Sequence, residues 1–327
     1  MAQRVLLVRF SSMGDVLLTT PLIRTLHRAG WEVHYLTKTV YAPLLAHNPH
    51  LSRLHLLSPG GSLTNLAEAL RAQRFDWVVD LHKSLRSYLL RFLLRRPTTA
   101  YHKATFKRWW IVTFKRGRVR HVVDRYFEAL KPLNVHNDGK GLDFFFPPDY
   151  HFSLSASLPS AYGVVVMGAA HPTKRIPPSK VVDFLKAAGW PVVLIGGADV
   201  QEAAAEVSGK FPRAVNLVGK TSLYDSAYLI QNARWVLTPD TGMMHLSAAF
   251  KRPIISVWGA TSPRLGMSPY LHEPEPRCVE NLTLSCHPCH RYGRERCPKG
   301  HFRCMLDLNL AEEGRRLRMS FPPPQTF

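Results

Sequence analysis

The sequence predicts an α/β protein made of two doubly wound units, each with a parallel sheet. Short apolar runs alternate with helical patterns in the first half of the chain, and this alternation resumes after a turn-rich stretch at residues 134–163. A chain of 327 residues is also too long for one ordinary core. We therefore expect domains at residues 1–150 and 151–327, with ligands in the crevice between them at the carboxyl ends of the strands.

The first half begins with a buried strand at residues 4–10 and an amphipathic helix. Between them lies Asp15, where a carboxylate can cap the helix, and Gly14 before it permits a tight turn. Further strands are predicted at WEVHYLTK and FDWVVDLHK, and helices at SLRSYLLRFLLRR and HVVDRYFEALKPL. The apolar face of the first helix comprises Leu17, Leu18, Leu22, Ile23 and Leu26.

The second half repeats the pattern. Strands are predicted at GVVVMGAA, PVVLIGGA, RWVLTPD and PIISVWGA, with a short segment at AVNLVG. Helices are predicted at SKVVDFLKAAG, VQEAAAEVSG, SLYDSAYLIQNA and TGMMHLSAAF.

The composition, 46% hydrophobic and 20% charged, is that of a globular chain rather than a disordered one. No apolar run reaches 18 residues, so no transmembrane helix is predicted, and the N-terminus lacks a signal-peptide pattern. We therefore expect a cytoplasmic protein.

Positive charge is concentrated in residues 83–131, where 14 basic residues and two acids give a net charge of +12 out of +20 for the chain. Aromatic residues interleave this charge, which suits an anionic partner: nucleic acid, an anionic membrane or a phosphorylated glycolipid. The aromatic residues are Tyr88, Phe92, Tyr101, Phe106, Trp109, Trp110 and Phe114.

Two neighbouring strand ends of the second half predict an anion site. Asp240, Thr241 and Gly242 lie where a strand ends and a helix begins, so the free N–H groups of the first turn can bind a phosphate. His245 lies one turn further along, and GATSP at residues 259–263 ends the next strand. These small and polar residues predict a phosphate-sized cradle.

Charged residues end two other strands of this half. Lys174 and Arg175 follow GAAHPT, where either cation can reach a diphosphate in the cradle. Asp199 and Glu202 follow PVVLIGG, where nucleotide-binding folds often bind a ribose.

Four segments together resemble the bacterial ADP-heptose:lipopolysaccharide heptosyltransferases of glycosyltransferase family 9, and the resemblance spans residues 4–305. It implies a GT-B fold, with two Rossmann-like domains whose parallel sheets face across a cleft. It further implies inverting transfer of heptose from ADP-heptose, bound by the C-terminal domain, to the lipopolysaccharide inner core, bound by the N-terminal domain. The Cys-rich segment, 278–305, is most similar to the heptosyltransferase II type. The segments are VRFSSMGDVLLTTPLIRTL, DLHKSLRSYLL, TPDTGMMHLSAAFKRPIISVWGATSP and CHPCHRYGRERCPKGHFRCM.

The resemblance also implies site residues. Asp15 matches the catalytic base, Lys174 the lysine at the phosphates and Asp240 the acid beside the donor sugar. Where the family has Lys-Arg-Trp-Pro this chain has Ile176 in place of the tryptophan, so packing beside the donor differs. The expected donor-binding residues are Thr173, Asp199, Glu202, Thr241, Gly242, His245 and Thr261, and the acceptor-binding residues are Ser12, Gly14, Arg86, Ser87, His121 and Arg125.

In the implied reaction Asp15 deprotonates the attacking hydroxyl while the diphosphate leaves from the opposite face, stabilised by Lys174 and helix N–H groups. No metal cofactor is required. The implied partners are ADP-heptose, a phosphorylated glycolipid of the lipid A–Kdo type and, peripherally, the cytoplasmic face of the inner membrane, with no nucleic acid. The alternatives are a GT-B transferase for another nucleotide-sugar, a donor-binding homologue without activity, and a nucleic-acid-binding protein that uses residues 83–131.

Four cysteines lie within 19 residues, and only the first pair has the spacing of metal ligands. Two interpretations stay open: a structural zinc site, or reduced thiols in a compact loop. A disulfide is not expected in the cytoplasm. The candidate zinc ligands are Cys286, Cys289, Cys297 and Cys304.

Overall fold

The computed structural model describes residues 3–154 and 158–324. Its strands are β1 (Arg4–Val8), β2 (Glu32–Lys38), β3 (Arg53–Leu57), β4 (Trp77–Asp80), β5 (Thr98–Ala100), β6 (Gly163–Val166), β7 (Val192–Ile195), β8 (Ala214–Asn216), β9 (Val236–Pro239), β10 (Ile254–Trp258) and β11 (Arg277–Glu280). Its α-helices are α1 (Met13–Leu17), α2 (Thr20–Arg28), α3 (Leu63–Arg71), α4 (Leu85–Leu94), α5 (Thr105–Phe114), α6 (Val122–Glu128), α7 (Pro178–Ala188), α8 (Gln201–Lys210), α9 (Leu223–Asn232), α10 (Gly242–Ala249), α11 (Arg303–Leu306) and α12 (Leu310–Ser320).

Contacts divide the described residues into two compact units. Unit 1 lies within Met1–Ala104 and Arg120–Pro148, and unit 2 within Thr105–Val119 and Asp149–Phe327. Helix α5 therefore packs with unit 2, although unit 1 flanks it on both sides in sequence.

Unit 1 contains a five-stranded parallel sheet in the order β3-β2-β1-β4-β5. In the register of the central strand, Leu7 lies opposite Tyr35 of β2 and opposite Val79 of β4. The strand order changes direction at β1 and β4, which makes their carboxyl ends the topological switch point, the usual ligand position in open α/β sheets.

Unit 2 contains a six-stranded parallel sheet in the order β11-β10-β9-β6-β7-β8. Here β6 pairs with β7 on one side and with β9 on the other, so the switch point lies between β6 and β9. The predicted α/β class with two parallel sheets is confirmed.

The central strands are apolar throughout because both of their faces are buried. Val5–Leu7 in unit 1 and Val192–Ile195 in unit 2 are fully buried. Helix α12 packs on α7 through Gly314, where a Cβ atom would lie 2.4 Å from the carbonyl oxygen of Phe184. Within the described residues, no helix is both long and apolar enough to cross a bilayer.

Several elements escape the sequence patterns. Strands β3, β5 and β11 lie at sheet edges, and their polar, partly or fully exposed residues break the apolar run that marks a central strand. Helices α3, α5, α11 and α12 were also not predicted. Residues 134–154 and 158–162 contain no helix or strand.

Candidate functional site

Asp15 lies at the switch point of unit 1, just after β1. Asp15 caps the helix as predicted, but from the third helical position: Ser12 is the N-cap residue of α1, and Asp15 completes a capping box with it. Its carboxylate accepts hydrogen bonds from Ser12 Oγ (2.9 Å) and Ser12 N (3.3 Å). The tight turn expected at Gly14 is wrong, since Gly14 is a helical residue of α1. The orientation of Asp15 thus depends on Ser12.

Arg9 pairs with Asp15. Its Nη2 lies 2.6 Å from Asp15 Oδ2, while Nη1 donates to the carbonyl of Leu81 and Nε to that of Ser11, both at 2.5 Å. Burial alone would lower the pKa of this guanidinium, but the nearby Asp15 charge and two tyrosines more than offset it and raise the pKa. A fixed cation therefore stabilises the ionised carboxylate of Asp15.

Further titratable groups surround this pair. The hydroxyl of Tyr126, a fully buried residue, lies 3.5 Å from Asp15 Oδ1. Burial, together with the charges of Arg9 and Lys103, lowers the pKa of His82 to about 4. Burial and Arg9 likewise lower the pKa of Lys103, whose Nζ donates to the carbonyl of Lys83 (2.6 Å). This concentration of cations beside Asp15 was not predicted, because it depends on contacts between separate elements.

The other predicted acceptor residues have structural contacts. Ser87 lies in the first turn of α4 and is fully buried, and its hydroxyl donates to Asp80 Oδ2 (2.9 Å). Arg125 is buried and donates to the carbonyl oxygens of His102 (2.8 Å) and Arg120 (3.2 Å). His121 caps α6 by accepting from the backbone N–H of Val123. Arg86, unlike Ser87, His121 and Arg125, is exposed.

In unit 2 three predicted residues meet at the carboxyl ends of neighbouring strands. Lys174 follows β6, Asp240 follows β9 and Thr261 follows β10. Lys174 Nζ lies 3.1 Å from Asp240 Oδ2, and the hydroxyl of Thr261 donates to the same oxygen at 2.8 Å. Both charged side chains are largely buried, 11% and 14% exposed, so their attraction is only weakly screened.

Helix α10 begins directly beside this cluster. Thr241 is its N-cap residue and makes no side-chain capping bond, and Gly242 is its first helical residue. His245 is buried within the first turn and a half of α10. The uncapped N–H groups at the start of an eight-residue helix carry partial positive charge, which favours a phosphate there.

Thr173 anchors part of the Cys-rich segment beside Lys174. Its hydroxyl donates to the carbonyl of Arg294 and accepts from the N–H of Arg294, both at 2.7 Å. Next to Arg294 lies Gly293, with φ of +100°, where a Cβ would come within 2.8 Å of Lys174 Cδ. The segment thus lies against the stem of Lys174, a contact that no sequence pattern indicated.

The two acids predicted for a ribose lie after β7. Asp199 pairs with Arg175, whereas Asp240 pairs with Lys174. Glu202 is exposed in the first turn of α8. Ile176, at the position of the family tryptophan, is buried.

The cysteines are free thiols. Burial, and then the neighbouring Cys289, Cys297 and Cys286, raise the pKa of Cys304 to about 12. His287, in the same segment, bonds to Glu280 Oε2 and to the carbonyl oxygen of Gly259, both at 2.8 Å. Across residues 3–154 and 158–324 no three His, Cys, Asp or Glu side chains group closely enough to hold a metal ion. Of the two interpretations left open for the cysteines, the zinc site has no geometric support in these residues.

Two Rossmann-like parallel sheets, each with charged side chains at its switch point, are the architecture of the GT-B fold. Residues 63–298 match the family described as glycosyltransferase family 9 (heptosyltransferase), and the chain belongs to this family. It is therefore a glycosyltransferase.

Individual relatives agree with this assignment. The chain is 28% identical over 280 residues to lipopolysaccharide heptosyltransferase 3 of Escherichia coli, covering 76% of this chain and 81% of the relative. The solved structure of E. coli ADP-heptose lps heptosyltransferase II matches with a TM-score of 0.71 at 21% identity, over 97% of this chain and 99% of that one. E. coli heptosyltransferase WaaC with ADP matches with a TM-score of 0.66 at 24% identity, over 88% and 97%. The GT-B fold is confirmed.

Proposed function

We propose that this enzyme transfers heptose from ADP-heptose to the inner core of lipopolysaccharide with inversion at the anomeric carbon. The observation that supports it best is the pairing of Lys174 with Asp240 beside the start of α10, in a member of family 9. Unit 2 would bind the donor, and unit 1, with Asp15, would bind the acceptor.

In the proposed step the acceptor hydroxyl attacks the anomeric carbon and Asp15 takes its proton. The bond between that carbon and the diphosphate oxygen breaks, and ADP leaves with the electron pair. Lys174 and the N–H groups at the start of α10 stabilise the negative charge that develops on the diphosphate. Asp240 and Thr261 hold the ammonium group in place. With this positive charge supplied by the protein, the proposed reaction requires no metal.

The acceptor we propose is a phosphorylated glycolipid of the lipid A–Kdo type. Arg9 and Lys103 give the surroundings of Asp15 the positive charge that such an anionic acceptor requires. A lipid-linked acceptor also implies peripheral association of the enzyme with the cytoplasmic face of the inner membrane.

Because the Cys-rich segment is most similar to heptosyltransferase II, we propose that this enzyme is of that type. Relatives named heptosyltransferase 1, 2 and 3 are all 24–28% identical to this chain, so identity does not separate the types.

A donor and acceptor screen tests this function. The enzyme is incubated with ADP-heptose, UDP-sugars or GDP-sugars and with truncated lipopolysaccharides that carry no, one or two heptoses, with and without a chelator. We expect a mass increase of one heptose only with ADP-heptose, unchanged by the chelator. Transfer of another sugar would overturn the donor assignment. Binding of RNA without any transfer would favour the nucleic-acid-binding alternative.

A further inference from the structure

Helix α5 exposes a cluster of four aromatic side chains. Phe106 is 68% exposed, Phe114 48%, Trp109 46% and Trp110 44%. The rings contact one another along the helix, with centroids 4.2 Å apart for Trp110 and Phe114 and 5.6 Å for Phe106 and Trp109. A contiguous exposed patch of this kind marks an interaction surface, unlike single exposed apolar residues, which are common.

The cluster lies in a segment with cations and no acids. Residues 105–119 contain five basic residues and neither aspartate nor glutamate. Of these, Lys107, Arg116 and Arg118 are exposed. Aromatic rings favour the interfacial region of a bilayer, and each cation near an anionic surface adds about 1 kcal/mol of attraction.

The opposite face of α5 is fixed to unit 2. Arg108 is buried and donates from Nε to the carbonyl oxygen of Leu265 (3.0 Å). Ile111, about one helical turn further along α5, is also buried. After the helix, Lys115 Nζ donates to the carbonyl of Pro288 (2.7 Å) and its own carbonyl accepts from Arg264 Nη1 (3.0 Å). These contacts fix one face of α5 to unit 2 and leave its aromatic face exposed to solvent.

We propose that α5 docks this enzyme on an anionic bilayer, with the four rings in the interfacial region and the neighbouring cations on lipid phosphates. The inference rests on the proposed lipid-linked acceptor and names the surface that meets the lipid. An RNA is less well suited, because bases stack on separate, open ring faces. In α5 the rings cover part of one another, as the close approach of Trp110 and Phe114 shows.

Vesicle flotation of the full-length protein tests the proposal. Vesicles contain phosphatidylcholine alone or mixed with phosphatidylglycerol, and the variants are F106S/W109S/W110S and R116Q/R118Q. We expect binding only to the anionic vesicles, a loss of more than about tenfold for the aromatic variant, and about fivefold per charge removed. The control L282S/M319S removes two exposed apolar side chains elsewhere in unit 2, 66% and 74% exposed, and should bind as the wild type does.

Fluorescence locates the contact. Lipids brominated near the headgroup should quench the wild type, whereas W109F/W110F should bind the same vesicles with little quenching. Equal binding by wild type and the aromatic variant would overturn the proposal, as would stronger binding to single-stranded RNA than to anionic vesicles. Circular dichroism confirms that each variant is folded.

Activity separates this proposal from the proposed function. With a deacylated, water-soluble acceptor, the aromatic variant should turn over like the wild type, and with the acceptor in vesicles it should be slower. If neither protein transfers heptose to either acceptor while vesicle binding behaves as expected, the proposed function is wrong and the docking surface stands. If transfer occurs but the variant matches the wild type on vesicles, the docking proposal is wrong.

Discussion

Arg9 Nη2 lies 2.6 Å from Asp15 Oδ2, and Arg9 is itself held by the carbonyl oxygens of Ser11 and Leu81. A carboxylate paired in this way is weaker as a base than an isolated one, but the guanidinium fixes its direction. An acceptor hydroxyl that displaces part of this pairing would meet a preoriented base. The structure thus makes Arg9 a positioning residue for Asp15 in the proposed reaction.

Replacing Asp15 by asparagine should remove the proposed base and keep the hydrogen bond with Ser12. We expect transfer to fall by about 10²–10⁴-fold, because general base catalysis contributes that much. Donor affinity, measured by calorimetry with ADP, should be unchanged, since Asp15 belongs to unit 1 and the proposed donor residues to unit 2. The matched control is Asp183→Asn, an exposed acid on α7, which should be fully active. Transfer at the wild-type rate by D15N would refute the base assignment.

Replacing Arg9 by glutamine should move the acidic limb of the kcat/KM profile to higher pH. Without the guanidinium, Asp15 is protonated more readily, and a protonated carboxyl group cannot accept the hydroxyl proton. Unfolding should also become easier by about 3 kcal/mol, because a buried ion pair loses one partner. Arg9→Lys keeps the positive charge, so its pH profile should lie between those of the wild type and R9Q. If R9Q does not fold, R9K still tests the role of Arg9. A wild-type profile for a folded R9Q would contradict the positioning role.

Lys174→Met should lower kcat/KM by about 10²–10³-fold, since it removes the cation that we propose stabilises the leaving diphosphate. The change is measured with ADP-heptose, and ADP binding should weaken in parallel. Lys186→Met, an exposed lysine of α7, is the matched control and should have no effect. Equal activity of K174M and K186M would show that Lys174 does not act on the donor.

Much of unit 1 and unit 2 could be predicted because central parallel strands are buried on both faces. Val5–Val8 and Val192–Ile195 form unbroken apolar runs, and their carboxyl ends must meet at one edge of a sheet. That geometry is why Lys174, Asp240 and Thr261, which are far apart in sequence, were expected together. Their contacts confirm the expectation.

The rest depends on contacts that leave no periodic signal. Arg9 interrupts an apolar stretch, and only the folded chain shows that it pairs with Asp15. Ser87, which is predicted to bind the acceptor, is fully buried and donates a hydrogen bond to Asp80, a contact that no sequence pattern indicated. Helix α5 follows unit 1 in sequence and yet packs with unit 2 through Arg108. In each case the position of the residue depends on a contact between side chains or backbone groups of separate elements, which sequence periodicity does not indicate.

Gly293→Ala should impair the donor side of the reaction through Lys174. The added Cβ would lie 2.8 Å from both Lys174 Cδ and His171 Cβ, so the lysine stem must shift. We expect a higher KM for ADP-heptose and a lower kcat. Gly300→Ala is a close control, because Gly300 also has a positive φ (+71°) but open space around it. It should lose only about 1–2 kcal/mol of stability. Identical kinetics for the two variants would mean that the segment does not position Lys174.

Stability should fall as the pH drops from about 6.5 to about 4, because buried imidazoles resist protonation. Burial, then the charges of His34 and Arg53, lowers the pKa of His55 to about 4, and the pKa of His82 is lowered to the same value. In that pH window the unfolded chain binds protons that the folded chain does not, so acid favours unfolding. His55 contacts His34 Nδ1 at 2.9 Å and packs edge-on against Phe75. His55→Gln should therefore flatten the fall in the urea midpoint between about pH 7.5 and about pH 5.5, roughly one unit either side of the upper end of that window. The exposed His136→Gln should leave that fall unchanged. A pH dependence in H55Q as steep as in the wild type would show that His55 is not among the groups responsible.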